Sequence, residues 1–142
     1  MTAEQSPPGP RSSEEKLLAG VAHLGVLFQM VGLFVPLVIL LLQRQTSRFV
    51  ADHARQALGY QLVVVLVQVV LSFFLFGFFL GGFRMPMPGF TLLQFPGPAR
   101  VAFFIFSAFL LAASIYGVVA AVAAFSGRAF RYAFIGDLVA RL

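Results

Sequence analysis

The chain has 142 residues, of which 60% are hydrophobic and 11% charged, against ~45–50% and ~25% in an average soluble domain. With a mean hydropathy of +0.94, a water-soluble globule would have too little polar surface to cover itself. The absence of cysteine removes disulfides, thiolate chemistry and cysteine-ligated zinc, and ten Lys/Arg against five Asp/Glu leave a net charge of +5.

Residues 1–13, with Pro7, Pro8, Gly9 and Pro10, read as a disordered tail ahead of a single domain over 14–142. Ser13 stands before Glu14 and Glu15, a helix cap followed by two carboxylates near the positive helix end. Three stretches, 17–42, 57–83 and 101–125, contain no Asp, Glu, Lys or Arg. A hydrocarbon core of about 30 Å needs ~20 helical residues, so each stretch is long enough to cross it. The first is too long for the ~7–15-residue core of a secretory signal and reads as an uncleaved anchor. The fold class expected is an all-α membrane protein with three transmembrane helices.

Between the first two stretches, 46–56 reads as a short interfacial helix running directly into the second stretch. Ser47 would cap it, and Asp52 is spaced to pair with Arg48 and Arg55. The link 84–100 holds four prolines and two glycines and should lack regular structure. Residues 128–142 place Phe134, Leu138 and Leu142 at four-residue spacing, the pattern of a second interfacial segment.

With three crossings, the N-terminal tail and the 84–100 link share one side, and the 43–56 link shares the other with the C-terminus. Six basic residues against four favour the second pair as cytoplasmic. The expectation is a multi-pass protein of the cytoplasmic membrane, N-terminus outside and C-terminus inside. In that arrangement His23 and His53 lie near opposite faces and share no metal.

Each stretch carries a polar or small-residue stripe at helical spacing. The first aligns Ala22, Gly25, Gln29, Gly32 and Pro36; the second Gln61, Gln68 and Ser72; the third Ser107, Ser114 and Gly117. These stripes read as bundle seams, with the amides hydrogen-bonded across them, or as the wall of a hydrated groove in a small oligomeric channel or transporter subunit. The spans contain no Asp or Glu, and neither a nucleophile elbow nor a phosphate-cradling loop is present. The expectation is no enzyme activity, no cofactor and no metal. Partners should be the lipid bilayer and other membrane proteins or further copies of the chain. Nucleic acid is not expected, because the arginines are scattered in short links beside apolar stretches.

Three segments carry a family pattern. They are 16–25 (Lys-Leu-Leu-Ala-Gly-Val-Ala-His-Leu-Gly), 47–61 with its Phe49-Val-Ala-Asp-His53-Ala-Arg-Gln56-Ala-Leu block, and 127–132 (Gly-Arg-Ala-Phe-Arg-Tyr). The pattern resembles the Tic-twenty-like family of small membrane proteins, whose plastid relatives belong to the inner-envelope import machinery. The resemblance implies contacts with other membrane proteins near protein translocation. It also points to an interaction surface of Phe49, Asp52, His53, Arg55, Gln56, Gln61, Arg131 and Tyr132.

Overall fold

The computed structural model describes residues 12–80, 97–133 and 136. Among these every regular element is helical. The helices are α1 (Ser13–Leu24), α2 (Gln29–Gly32), α3 (Phe34–Gln43), α4 (Arg48–Leu80) and α5 (Gly97–Phe125), with a 3-10 turn at Gly25–Phe28 between α1 and α2.

The first apolar stretch is not one helix. It runs up α1, breaks at Gly25–Phe28 and returns along α3, so the chain reverses where a crossing was expected. Gln29 marks the break with φ 55°, a conformation that costs a non-glycine residue of order 1–3 kcal/mol and persists only where its surroundings impose it. The two arms meet side by side: Ala22 of α1 packs in one cluster with Ile39 of α3, and Leu18, Val21, Val35 and Leu40 close around them. At the bend the backbones touch, a Cβ on Gly25 falling 2.5 Å from the Gly32 carbonyl oxygen. Pro36 is the third residue of α3, where its missing N–H is among those a helix start leaves unbonded anyway. It lies in the first turn of the returning arm.

At ~1.5 Å per residue the arms reach about 18 and 15 Å, roughly half of a ~30 Å hydrocarbon core each. Among the described residues two helices are long and apolar enough to cross a membrane, over Arg48–Leu75 and Arg100–Phe125. The three crossings expected are therefore reduced to two, because the first stretch is divided into arms too short to span.

Local chemistry fixes the ends. Ser12, not Ser13, caps α1: its hydroxyl accepts from Glu15 N at 3.1 Å while Glu15 accepts from Ser12 N at 2.9 Å, the reciprocal arrangement that satisfies two otherwise unbonded donors. The second carboxylate oxygen of Glu15 accepts from the Ser47 hydroxyl at 2.6 Å, and that hydroxyl accepts from Val50 N at 3.3 Å to cap α4. The expected interfacial segment 46–56 is thus the start of α4 itself, continuous with the long helix. The Glu15–Ser47 bond ties the beginnings of α1 and α4 together. The end of α5 joins them, since Gly127 (φ +74°) lies against Lys16 and Phe125 against Gly20. The starts of α1 and α4 and the end of α5 accordingly share one end of the bundle, against the expectation that the first two strides of the chain lie on opposite faces. The tail 1–11, residues 81–96 and residues 134, 135 and 137–142 lie outside the described residues; of the link 84–100 expected to be irregular, Gly97–Arg100 form the first turn of α5, and of the expected C-terminal helix, 128–133 are not helical.

Small residues let the three helices approach. Ala19 and Ala22 of α1, Ala54 and Ala57 of α4, and Ala113, Ala120, Ala121 and Ala124 of α5 are buried. Large side chains such as Leu62, Leu66, Phe73, Phe104, Leu111 and Ile115 point outward and are more than half exposed. An apolar surface of this extent is far beyond the few hundred Å² that water-facing surfaces carry.

Candidate functional site

A chain of buried polar side chains links α1, α4 and the segment after α5. His23 is fully buried in α1. Its Nε2 lies 2.9 Å from His53 Nδ1 on α4, and its Nδ1 lies 3.0 Å from the Tyr132 hydroxyl in the segment after α5. The two imidazoles meet edge to face with centroids 5.2 Å apart. Each ring nitrogen pair shares one proton, so the chain of bonds runs in either of two directions. Either Tyr132 donates to His23, which donates to His53 through Nε2–H, or His53 donates to His23, which donates to Tyr132. Such an array can relay a proton between its ends.

Tyr132 is built in from every side. It stacks on Tyr60 at 4.0 Å and 5°, and Tyr116 and Phe130 stand edge-on to it at 5.1 Å each, geometries that aromatic quadrupoles favour. Burial first, and the neighbouring Tyr60 and Tyr116 phenols second, push its hydroxyl well above the ordinary tyrosine range, so it is a neutral hydrogen-bonding group. The backbone of its segment is held by side chains: Tyr132 N donates to Gln56 Oε1 at 3.4 Å, Gln56 Nε2 donates to Gly136 O at 3.1 Å, and Ala133 N donates to the Tyr116 hydroxyl at 3.0 Å. Gln56 offers one donor and one acceptor, as a backbone amide does, and so reads the segment by its main chain.

A comparison with family models finds the magnetosome magnetite crystal formation protein family over residues 14–139. The chain belongs to this family. Neither a curated protein nor a solved structure matches it. The family match overturns the Tic-twenty-like resemblance drawn from 16–25, 47–61 and 127–132. His23, His53, Gln56, Gln61 and Tyr132, which carried that resemblance, knit the hairpin, α4 and the segment after α5 together.

In this magnetosome-family chain the expected interaction residues do not form one surface. His53, Gln56, Gln61 and Tyr132 are buried, Phe49 packs its ring on His53 at 4.6 Å, and Asp52, Arg55 and Arg131 face outward. The Asp52–Arg55 pair forms at 3.4 Å on an exposed helix face, where it contributes little. The intramembrane stripe is also divided. Gln61 donates to Ala22 O at 3.2 Å across the α1–α4 seam. Gln29 sits in the hairpin bend, Gln68, Ser107 and Ser114 are half-buried, and Ser72 is exposed. The buried amide oxygens of Gln29, Gln61 and Gln68 have no hydrogen-bond partner.

Sequence reasoning placed His23 and His53 on opposite faces, and here the correction is largest: they touch. The facing nitrogens bond each other, and among the described residues no three His, Asp or Glu side chains gather. Tyr60, Tyr116 and Phe130 were absent from the expected site. The signal for them was Gly127 just after α5, which turns the chain back so that Phe130 and Tyr132 re-enter the bundle.

Proposed function

We propose that the protein is a two-span membrane component of magnetosome magnetite crystal formation, acting without catalysis through contacts made in the membrane with other membrane proteins or further copies of itself. The family match over residues 14–139 carries this reading, and the two long apolar helices support the membrane placement. The buried His23, Tyr132 and Gln56 side chains bond one another's elements and the main chain, which suits a scaffold rather than a substrate site. The segment joining α4 to α5 contains Arg84 but no Asp, Glu or His. A segment of that composition offers no carboxylate or imidazole to iron, which favours action through the membrane and its proteins. Deleting the gene in the cell that makes this protein should alter crystal number or size, with the protein recovered in the magnetosome membrane fraction. Unchanged crystals, or a protein confined to other membranes, would refute the role.

The orientation follows from the hairpin. Among the described residues Lys16, Arg44, Arg48, Arg55, Arg128 and Arg131 stand at the end shared by the starts of α1 and α4 and the end of α5, while Arg100 stands at the other. Six against one favours a cytoplasmic shared end under the positive-inside bias. The chain lacks cysteine, so single cysteines report cleanly. With a membrane-impermeant thiol reagent, Ser13→Cys should label together with Thr46→Cys and opposite to Thr91→Cys. Labelling of Ser13→Cys together with Thr91→Cys would restore three crossings.

A further inference from the structure

Between α4 and α5 lies a groove of about 400 Å³ lined by Tyr60, Val63, Val64, Phe109, Ala113 and Tyr116, with Ala112 at its lip. Its walls present almost no polar group. The Tyr60 hydroxyl is turned away to donate to Ala113 O at 2.9 Å, and the Tyr116 hydroxyl accepts from Ala133 N. Val63 and Ala112 are exposed, so the groove opens outward at the depth of the two apolar helices, not into the seam with α1. A polar solute finds no partner there, whereas a hydrocarbon chain finds walls of its own polarity.

The groove has a charged end. Tyr116 at its wall holds Ala133, and Tyr132 stacks on Tyr60, so the segment after α5 roofs the groove on the side of the shared bundle end. That segment carries Arg128 and Arg131, both exposed. Apolar walls below and two guanidiniums above match a molecule with a hydrocarbon tail and an anionic head.

We propose that the groove between α4 and α5 holds an acyl chain of one anionic phospholipid, whose phosphate lies against Arg128 and Arg131. The proposal rests on the membrane placement above and not on the magnetosome role. Bilayer headgroups attract basic residues by electrostatics in any case; the groove adds a fixed seat for one tail, so the lipid should survive extraction.

The test uses the full chain reconstituted in vesicles of equal phosphatidylglycerol and phosphatidylcholine with matched tails, extracted gently and weighed by native mass spectrometry. Flotation with the vesicles checks insertion first, so a failure of the membrane reading is seen separately. The wild type should retain one lipid, phosphatidylglycerol over phosphatidylcholine. Ala112→Phe, which fills the groove from its lip, should lose the retained lipid, and Val63→Phe provides the same readout should the first variant fold poorly. Arg128→Gln with Arg131→Gln should keep a lipid but lower the phosphatidylglycerol preference by roughly thirtyfold. The proposal fails if the wild type retains no more lipid than the filled variants or binds both headgroups equally. It also fails if the wild type runs as a pair of chains that Ala112→Phe separates, since a second copy would then occupy the groove.

Discussion

Gly32→Val should yield no stable protein, or protein weakened by more than the ~1–3 kcal/mol of ordinary overpacking. The first apolar stretch reverses only because two backbones come into contact: a Cβ on Gly32 would overlap the carbonyl oxygen of Gly25, and one on Gly25 would lie 2.5 Å from that of Gly32. Both obstacles are main chain held at a bend already strained at Gln29, so neither can step aside. Opening the bend moves α3 away from α1 and strips Ala22, Ile39, Val50 and Ala54 of shared packing. Gly20→Ala is the control, for the atom its new Cβ would meet is the ring of Phe125, a side chain 38% exposed that can swing outward. Melting followed by circular dichroism in detergent separates the two. A Gly32→Val protein that melts with the wild type would mean that the hairpin does not close through these glycines.

That hairpin is also where the sequence was least legible. The helical class, the α4 and α5 stretches and the Ser47 cap can be read from composition and local chemistry, because a run of apolar residues longer than the bilayer is thick has few other readings. The reversal within 17–42 cannot be read that way, since apolar composition is the same for a straight helix and for two arms. The relevant residues were seen but placed on one face: Gly25 and Gly32, seven apart, fall on a shared stripe of a straight helix and equally on the two contact points of a bend. Gln29 between them and Pro36 at the third position of α3 agree with the bend, although each is also tolerated within a membrane helix.

One misreading then propagated. Running the first stretch straight through the membrane sent His23 and His53 to opposite faces, dissolved the pairing of Glu15 with Ser47, and divided the basic residues six to four. Reversing it brings the imidazoles to 2.9 Å and the start of α1 beside that of α4. It also gathers six of the seven described basic residues at one end. The candidate site was therefore legible residue by residue, through His53, Gln56, Gln61 and Tyr132, but not as a constellation. Its geometry depends on a turn that leaves no periodic signal.

The hydrogen-bonded chain through His23 sets the second large effect expected. His23→Leu keeps an apolar volume in a fully buried position yet removes one hydrogen bond each from the Tyr132 hydroxyl and His53. Stripping a partner from a buried polar group costs ~1–3 kcal/mol, so the variant should lose roughly 2–4 kcal/mol and release the segment that Tyr132 anchors. Tyr132→Phe should cost less, because one hydroxyl is removed and the ring stack on Tyr60 is kept. The double variant should cost less than the two singles together, the signature of residues in one network. Tyr132 also gives the stability a pH dependence of known sign. Unfolded, it ionises near 10, and in the fold burial raises it further. Its contribution is therefore complete below pH 10 and declines as pH rises above 10, where only the unfolded chain readily loses the proton. Tyr132→Phe should flatten that alkaline decline. Equal melting of His23→Leu and wild type at neutral pH, or an unchanged alkaline slope in Tyr132→Phe, would show that the segment after α5 is held by Gln56 and the aromatic stack without the imidazole chain.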